Sequence, residues 1–223
     1  MGKDLVIFGT SVMAEIAYEY FTYDSPYNVA AFTVSQGHIA RRPTMFDGVP
    51  VVPFETVEQR YAPARYDMYV CIGYGQANKL RRRFYNEAKQ KGYTLASYVS
   101  SRAFVWRNVP IGDNCFIYED NTVQPFVTIG NDVTLWSGNH IGHHSVIRDH
   151  VFVSSHVVIS GLCTIGEGCF LGVNSTLAHE TALPPFTLVG MGSVVTKQIS
   201  EQGQVWVGNQ ARQLDGRVSW EVL

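Results

Sequence analysis

Hydrophobic residues in the second half of the chain recur at an interval of six. Every sixth position from Val99 to Val195 is Val, Ile or Leu, seventeen in succession. Neither the period of two of a half-buried strand nor the 3.6 of an amphipathic helix produces such a register. A short fixed repeat predicts a parallel β-helix, in which each unit buries its apolar side chain only against neighbouring coils. The other positions agree. Gly follows the apolar residue at Gly112, Gly130, Gly142, Gly166, Gly172 and Gly190, where a tight turn would use a residue tolerant of unusual dihedrals. The position four after it is small or β-branched, as at Cys115, Val127, Ser145, Cys163 and Ser175. The expectation is a three-sided prism of roughly five coils. Residues eighteen apart then stack, and residues six apart lie on different faces.

Residues 1–96 have another rhythm. The apolar run Leu5-Val6-Ile7-Phe8 reads as a buried strand, followed by Gly9-Thr10-Ser11 and a helical stretch over 12–21. Further strands are expected at 29–33, 49–52 and 66–72, and a helix over 77–91 closed by Gly92. Strands alternating with helices predict a small parallel, Rossmann-like α/β domain. The division expected is 1–96 for this domain and 97–223 for the β-helix with a C-terminal tail.

Composition narrows the classes. Apolar residues make up 46% and charged residues 16%, a balance suited to a solenoid whose faces are partly covered by neighbouring subunits. A net charge of −2 gives no case for nucleic-acid binding. The triplet Arg81-Arg82-Arg83 is expected on a solvated helix face. Cys71, Cys115, Cys163 and Cys169 are expected as buried free thiols, which suits a reducing cytoplasm. No CxxC pair suggests zinc, and no apolar run approaches the roughly 20 residues that cross a bilayer. The expectation is a cytoplasmic protein without membrane or metal.

Two features carry candidate chemistry. Gly9-Thr10-Ser11 joins a strand to a helix, where backbone N–H groups can receive a phosphate. Ser11 and Ala14 stand where a full dinucleotide fingerprint has glycines, and Thr33 stands where it has an acidic residue. A dinucleotide is therefore disfavoured, leaving a nucleotide-sugar phosphate or a plain tight turn. The second feature is a cluster of histidines: His140, His143, His144, His150, His156 and His179. His144, His150 and His156 are six apart, hence on different sides of the prism, and cannot meet on one metal within a subunit. One of His140, His143 and His144 could serve as a general base near neutral pH. The alternative for each is a polar residue on a solenoid face.

The hexads, the α/β front domain and Ile141-Gly142-His143-His144-Ser145-Val146-Ile147 together resemble the left-handed β-helix (hexapeptide repeat) acyltransferases. The resemblance is to the bacterial nucleotide-sugar N-acetyltransferases and sialic acid O-acetyltransferases that carry a Rossmann-like N-terminal domain. It implies a homotrimer with interfacial active sites, acetyl-CoA as co-substrate, and a nucleotide-sugar on the front domain. It implies that His143 is the general base for direct attack of a sugar amine on the thioester, with no acyl-enzyme. His144 stands where relatives often have Asp or Glu, so either another carboxylate orients His143, or a neutral group does, or His144 shares the work. Phe152 stands where some relatives have a second His near the thioester, and is expected to touch the pantetheine arm.

Cofactor contacts implied by the resemblance are Val173, Gly190, Met191 and, in Gly208-Asn209-Gln210-Ala211-Arg212, Arg212. Substrate contacts implied are Gly9, Thr10, Ser11 and Thr33. The activity expected is N-acetylation of a nucleotide-linked amino-dideoxysugar for surface polysaccharide or glycan assembly. Sugar O-acetylation, or a non-catalytic trimeric scaffold, are the alternatives.

Overall fold

The computed structural model describes residues 4–39, 45–46, 48–209 and 211–222. Its contacts divide the chain into two units: Met1–Gly73 with Arg83–Tyr98, and Tyr74–Arg82 with Val99–Leu223.

The first unit is built on a five-stranded sheet of β1 (Asp4–Phe8), β2 (Asn28–Val34), β3 (Met45–Phe46), β4 (Val49–Pro53) and β5 (Tyr66–Val70), in the order β3-β4-β2-β1-β5. β1 pairs parallel with β2 and β5, and β2 with β4; β3 runs antiparallel to β4. The central β1 shows why its sequence is an unbroken apolar run: Leu5, Val6 and Ile7 are fully buried, as a strand covered on both faces must be. α1 (Val12–Tyr23) follows β1, α2 (Gln36–Ile39) follows β2, and α3 (Lys79–Gln90) follows β5. After β1 the chain builds outward through β2 and β4, then returns to place β5 on the other side of β1. The order reverses at the C-terminal ends of β1 and β5, the place where open α/β sheets hold ligands.

The second unit is a prism of three parallel sheets. Each strand pairs with those eighteen residues before and after it: Thr134 with Phe116 and Phe152, His140 with Thr122 and Val158, Val146 with Thr128 and Thr164. From Ile117 to Val195 every residue of the hexad register is at most 2% exposed. Val99, at the open end of the stack, is 37% exposed, because a terminal coil has one neighbour instead of two.

The corners correct the reading of the glycines. The left-handed residue of each turn is three places after the apolar position, not one: Asp120, Phe126, Asp132, His144, His150 and His156 all have φ between 55° and 65°. Gly142 and its equivalents are required by space. A Cβ on Gly142 would lie 2.5 Å from the backbone nitrogen of Gly161, and one on Gly172 would lie 2.5 Å from that of Met191.

Arg81 is also corrected. It is 2% exposed, and in the second unit its Nε lies 3.0 Å from Asp132 Oδ2. Its Nη2 donates to the carbonyls of Asp132 and His150 at 2.9 and 3.0 Å. A basic triplet within a helical pattern gives no sign that one member is fully enclosed; Arg82 is half-buried and paired with Glu167, and Arg83 is exposed. The expected tail contains structure too. Gln204–Val207 extends the sheet beside Leu188–Val189, Arg212–Val218 pairs back antiparallel, and α4 (Ser219–Val222) follows. Among the described residues no helix is long and apolar enough to cross a membrane.

Candidate active site

His143 and His144 occupy one corner of the prism, in the turn joining His140–Ile141 to Val146–Ile147. Both side chains are exposed. The turn is held to the preceding coil by two bonds: the His143 N–H donates to Gln124 Oε1 at 2.9 Å, and the His144 N–H to the Pro125 carbonyl at 3.2 Å. His143 Nδ1 lies 3.1 Å from His144 Nδ1. The His144 ring stacks on Phe126, with centroids 4.6 Å apart and planes 28° apart. On the next coil stands Gly161. A Cβ built there would lie 2.7, 2.8 and 3.2 Å from His143 Nε2, Cε1 and Cδ2. A point on the in-plane axis of Nε2 would be clearly farther from both carbons than from the nitrogen. Gly161 therefore packs against the ring's face, and the in-plane lone pair of Nε2 points elsewhere. His179, two coils on, has its ring 6.2 Å from that of His143.

Of the three competing histidines, His140 is a half-buried strand residue, whereas His143 and His144 form a hydrogen-bonded pair at an exposed edge. Gln124, Phe126 and Gly161 are neighbours that sequence reading missed, and His179 was named in the histidine cluster without being placed near His143. The signal was present, since Phe126 precedes His144 by eighteen, and Gly161 and His179 follow His143 by eighteen and thirty-six.

Val173 and Met191 occupy equivalent places on successive turns of a different corner, 42% and 81% exposed. They make an apolar ledge, with Gly190 next to Met191. The Gly208 N–H donates to Ser193 Oγ at 3.0 Å, which puts the turn leading to exposed Arg212 beside this ledge; Gln210 of that turn lies outside the described residues. Phe152 does not belong with His143. It lies on the sheet containing Phe116 and Phe170, is 2% exposed, and is covered by Tyr74 at a centroid separation of 5.0 Å. Within one chain it is a packing residue and presents no surface to a pantetheine arm.

In the first unit, Gly9 has φ +127°, and a Cβ there would lie 2.5 Å from the Cys71 carbonyl oxygen. Its N–H donates to the Thr33 carbonyl at 2.9 Å, so that amide is already committed to the sheet. Thr10 is 7% exposed. Ser11 is the exposed N-cap of α1, and its side chain makes no capping bond. The Thr33 side chain is corrected: it is fully buried and its hydroxyl donates to the Val52 carbonyl at 3.0 Å. It ties β2 to β4. The turn thus offers Ser11 and the first amides of α1 at the sheet's point of reversal.

His144, His150 and His156 sit at three different corners, each in the left-handed position of its turn. His150 is paired with Asp132 of the preceding coil at the same corner, with Nδ1 2.8 Å from Oδ2. Among the described residues no group of three or more His, Cys, Asp or Glu could hold a metal. All four cysteines are free and buried, and burial pushes the thiols of Cys115 and Cys169 up to about 12.

Comparison with known proteins identifies the architecture. Residues 108–143 and 126–161 match the family model described as bacterial transferase hexapeptide (six repeats). The acetyltransferase domain of PglB from Neisseria gonorrhoeae is 20% identical, with a TM-score of 0.84 over 96% of this chain and 100% of that one. A histidine-to-asparagine variant of perosamine N-acetyltransferase from Caulobacter crescentus, in complex with CoA and GDP-perosamine, is 21% identical, with a TM-score of 0.84 over 96% and 97%. WeeI from Acinetobacter baumannii is 19% identical, with a TM-score of 0.73 over 95% and 100%. The chain carries a small parallel α/β unit followed by a left-handed β-helix of hexapeptide repeats.

Proposed function

We propose that this protein is an acetyl-CoA-dependent N-acetyltransferase that acts on the amino group of a nucleotide-linked amino-dideoxysugar. The observation that carries the reading is the exposed, hydrogen-bonded His143 on this two-unit fold. The fold is shared with the perosamine N-acetyltransferase that binds CoA and GDP-perosamine. His143 Nε2 takes a proton from the attacking amine as the N–C bond forms at the thioester carbonyl. The C–S bond then breaks, and the imidazolium returns the proton to the CoA sulfur. An acyl-enzyme on Cys is disfavoured, because the nucleophile would be a thiolate and every thiol here is buried.

Val173 and Met191 suit the apolar part of the CoA arm, and Arg212 suits its phosphates. Ser11 and the α1 amides suit the sugar nucleotide's phosphates. Phe104, Trp106, Phe126 and Leu162 are between 41% and 58% exposed. Such an apolar strip beside His143 suits burial against further copies of the chain, as in a homotrimer with interfacial sites. The reading places the protein in the cytoplasm, in assembly of a surface polysaccharide or glycan.

The test is to incubate the protein with acetyl-CoA and nucleotide-linked sugars bearing either a free amine or only hydroxyls, following CoA release and product mass. A gain of one acetyl group on the amino sugars is expected. Acetylation confined to hydroxyl acceptors, or none at all, overturns the proposal. Light scattering of the same sample should give three times the chain mass.

A further inference from the structure

The geometry points to His144 as the positioning residue that holds His143 in the tautomer a general base requires. This rests on the reading of His143 given above. Two imidazole Nδ1 atoms 3.1 Å apart repel through their lone pairs unless one of them carries a hydrogen. With both rings neutral there are two arrangements. If His144 donates, His143 keeps its own proton on Nε2 and has no lone pair there to accept one. If His143 donates from Nδ1, its Nε2 is bare and basic, and His144 carries its proton on Nε2. Both arrangements leave one bare Nε2 at the exposed edge: in the first it belongs to His144, and only the second puts the base on His143. His144 then does what a carboxylate does elsewhere: it accepts from Nδ1–H and fixes the ring.

The surroundings of His144 fit that role. Phe126 stacks on its ring and sets its plane. The residue is in the left-handed region at φ 59°, so its side chain leaves the turn in a direction no ordinary backbone would give. The same place in the turn holds Phe126 at this corner, and Phe186, Asp120 and Asp132 at the other corners, all left-handed. Two substitutions therefore separate shape from hydrogen bonding. His144→Phe keeps the stack and removes the acceptor; His144→Asp supplies an acceptor oxygen near the place of Nδ1.

The experiment is long-range ¹H–¹⁵N NMR of histidine-labelled protein at pH about 8.5, where an ordinary imidazole is neutral. The rings are assigned by deletion variants, and kinetics are measured on the same samples. Wild type is expected to show Nδ1–H and bare Nε2 on His143, with the reverse on His144. In His144→Phe the His143 proton should move toward Nε2, and kcat should fall roughly 10- to 100-fold with KM for acetyl-CoA unchanged. His144→Asp should restore both. A wild-type His143 protonated on Nε2 overturns the inference whatever the activity, and that spectrum decides even if His144→Phe does not fold. Unchanged kcat and tautomer in a folded His144→Phe overturn it too. Absence of acetyl transfer with the His143 tautomer as described overturns the activity and leaves the hydrogen-bond assignment standing.

Discussion

Gly161→Ala isolates the position of the His143 ring from the stability of the solenoid. The new methyl carbon would lie 2.7 Å from Nε2 and 2.8 Å from Cε1 of His143, against an ordinary contact distance of about 3.5 Å or more. The ring must therefore retreat by roughly 0.7 Å or more. Its three nearest neighbours are all atoms at the end of one exposed, rotatable side chain, so the coil need not move. Gly161 is not among the residues with positive φ, and Ala fits its backbone.

Loss of glycine flexibility in the unfolded chain stabilises by about 0.4–1 kcal/mol, and an off-rotamer imidazole costs about 0.5–1.5 kcal/mol. The two nearly cancel, so Tm should shift by only a few degrees. Displacement of a reacting group by about 1 Å costs on the order of 10²-fold. The expected result is a kcat lowered about 100-fold at nearly wild-type Tm, measured by thiol release from acetyl-CoA beside a thermal melt. An unchanged kcat would refute the claim that the ring's place on Gly161 matters. A collapse in Tm would refute the claim that only the ring is displaced.

Arg81→Ala removes the cation beside Asp132 and its bonds to three carbonyls in a site 2% exposed. It should destabilise by about 3–5 kcal/mol, read as a lowered midpoint in urea. Gly9→Ala sets a methyl 2.5 Å from a backbone oxygen at φ +127°; it should cost at least about 1–3 kcal/mol by the same measurement. Native protein at pH 8 should be nearly inert to a thiol reagent and expose four thiols on denaturation. Each cysteine is buried, and Cys115 and Cys169 are pushed up to about 12. Because those two ionise more readily once unfolded, stability should also fall as pH rises from about 9 toward 12.

The prism was legible because its rule is periodic. One apolar residue per six enters the core from Ile117 to Val195, joined there by the small or β-branched residue four places after it, as at Val127, Val151 and Cys163. Residues eighteen apart then stack, which is enough to bring Phe126 beneath His144 and Gly161 against His143. What stayed hidden was set by contacts with no period. Arg81 reads as surface in a run of three arginines, and only the three-dimensional course of residues 74–82 shows it against Asp132. Phe152 has the register of an outward residue, yet Tyr74 covers it. Thr33 lies within β2, one place before its end, with a hydroxyl committed to Val52, a choice set by how β4 lies beside β2. The glycines were located correctly for the wrong reason, since the demand is for close approach between coils and the left-handed residue comes two places later.

The central claim is that His143 removes the proton from an attacking amine, and the most direct measurement is kcat for wild type and His143→Ala on one amino-sugar acceptor with saturating acetyl-CoA. Equal Tm values are required of both proteins. The account predicts a loss of about 10²-fold or more with little change in KM for acetyl-CoA. Equal turnover by the two proteins would contradict it.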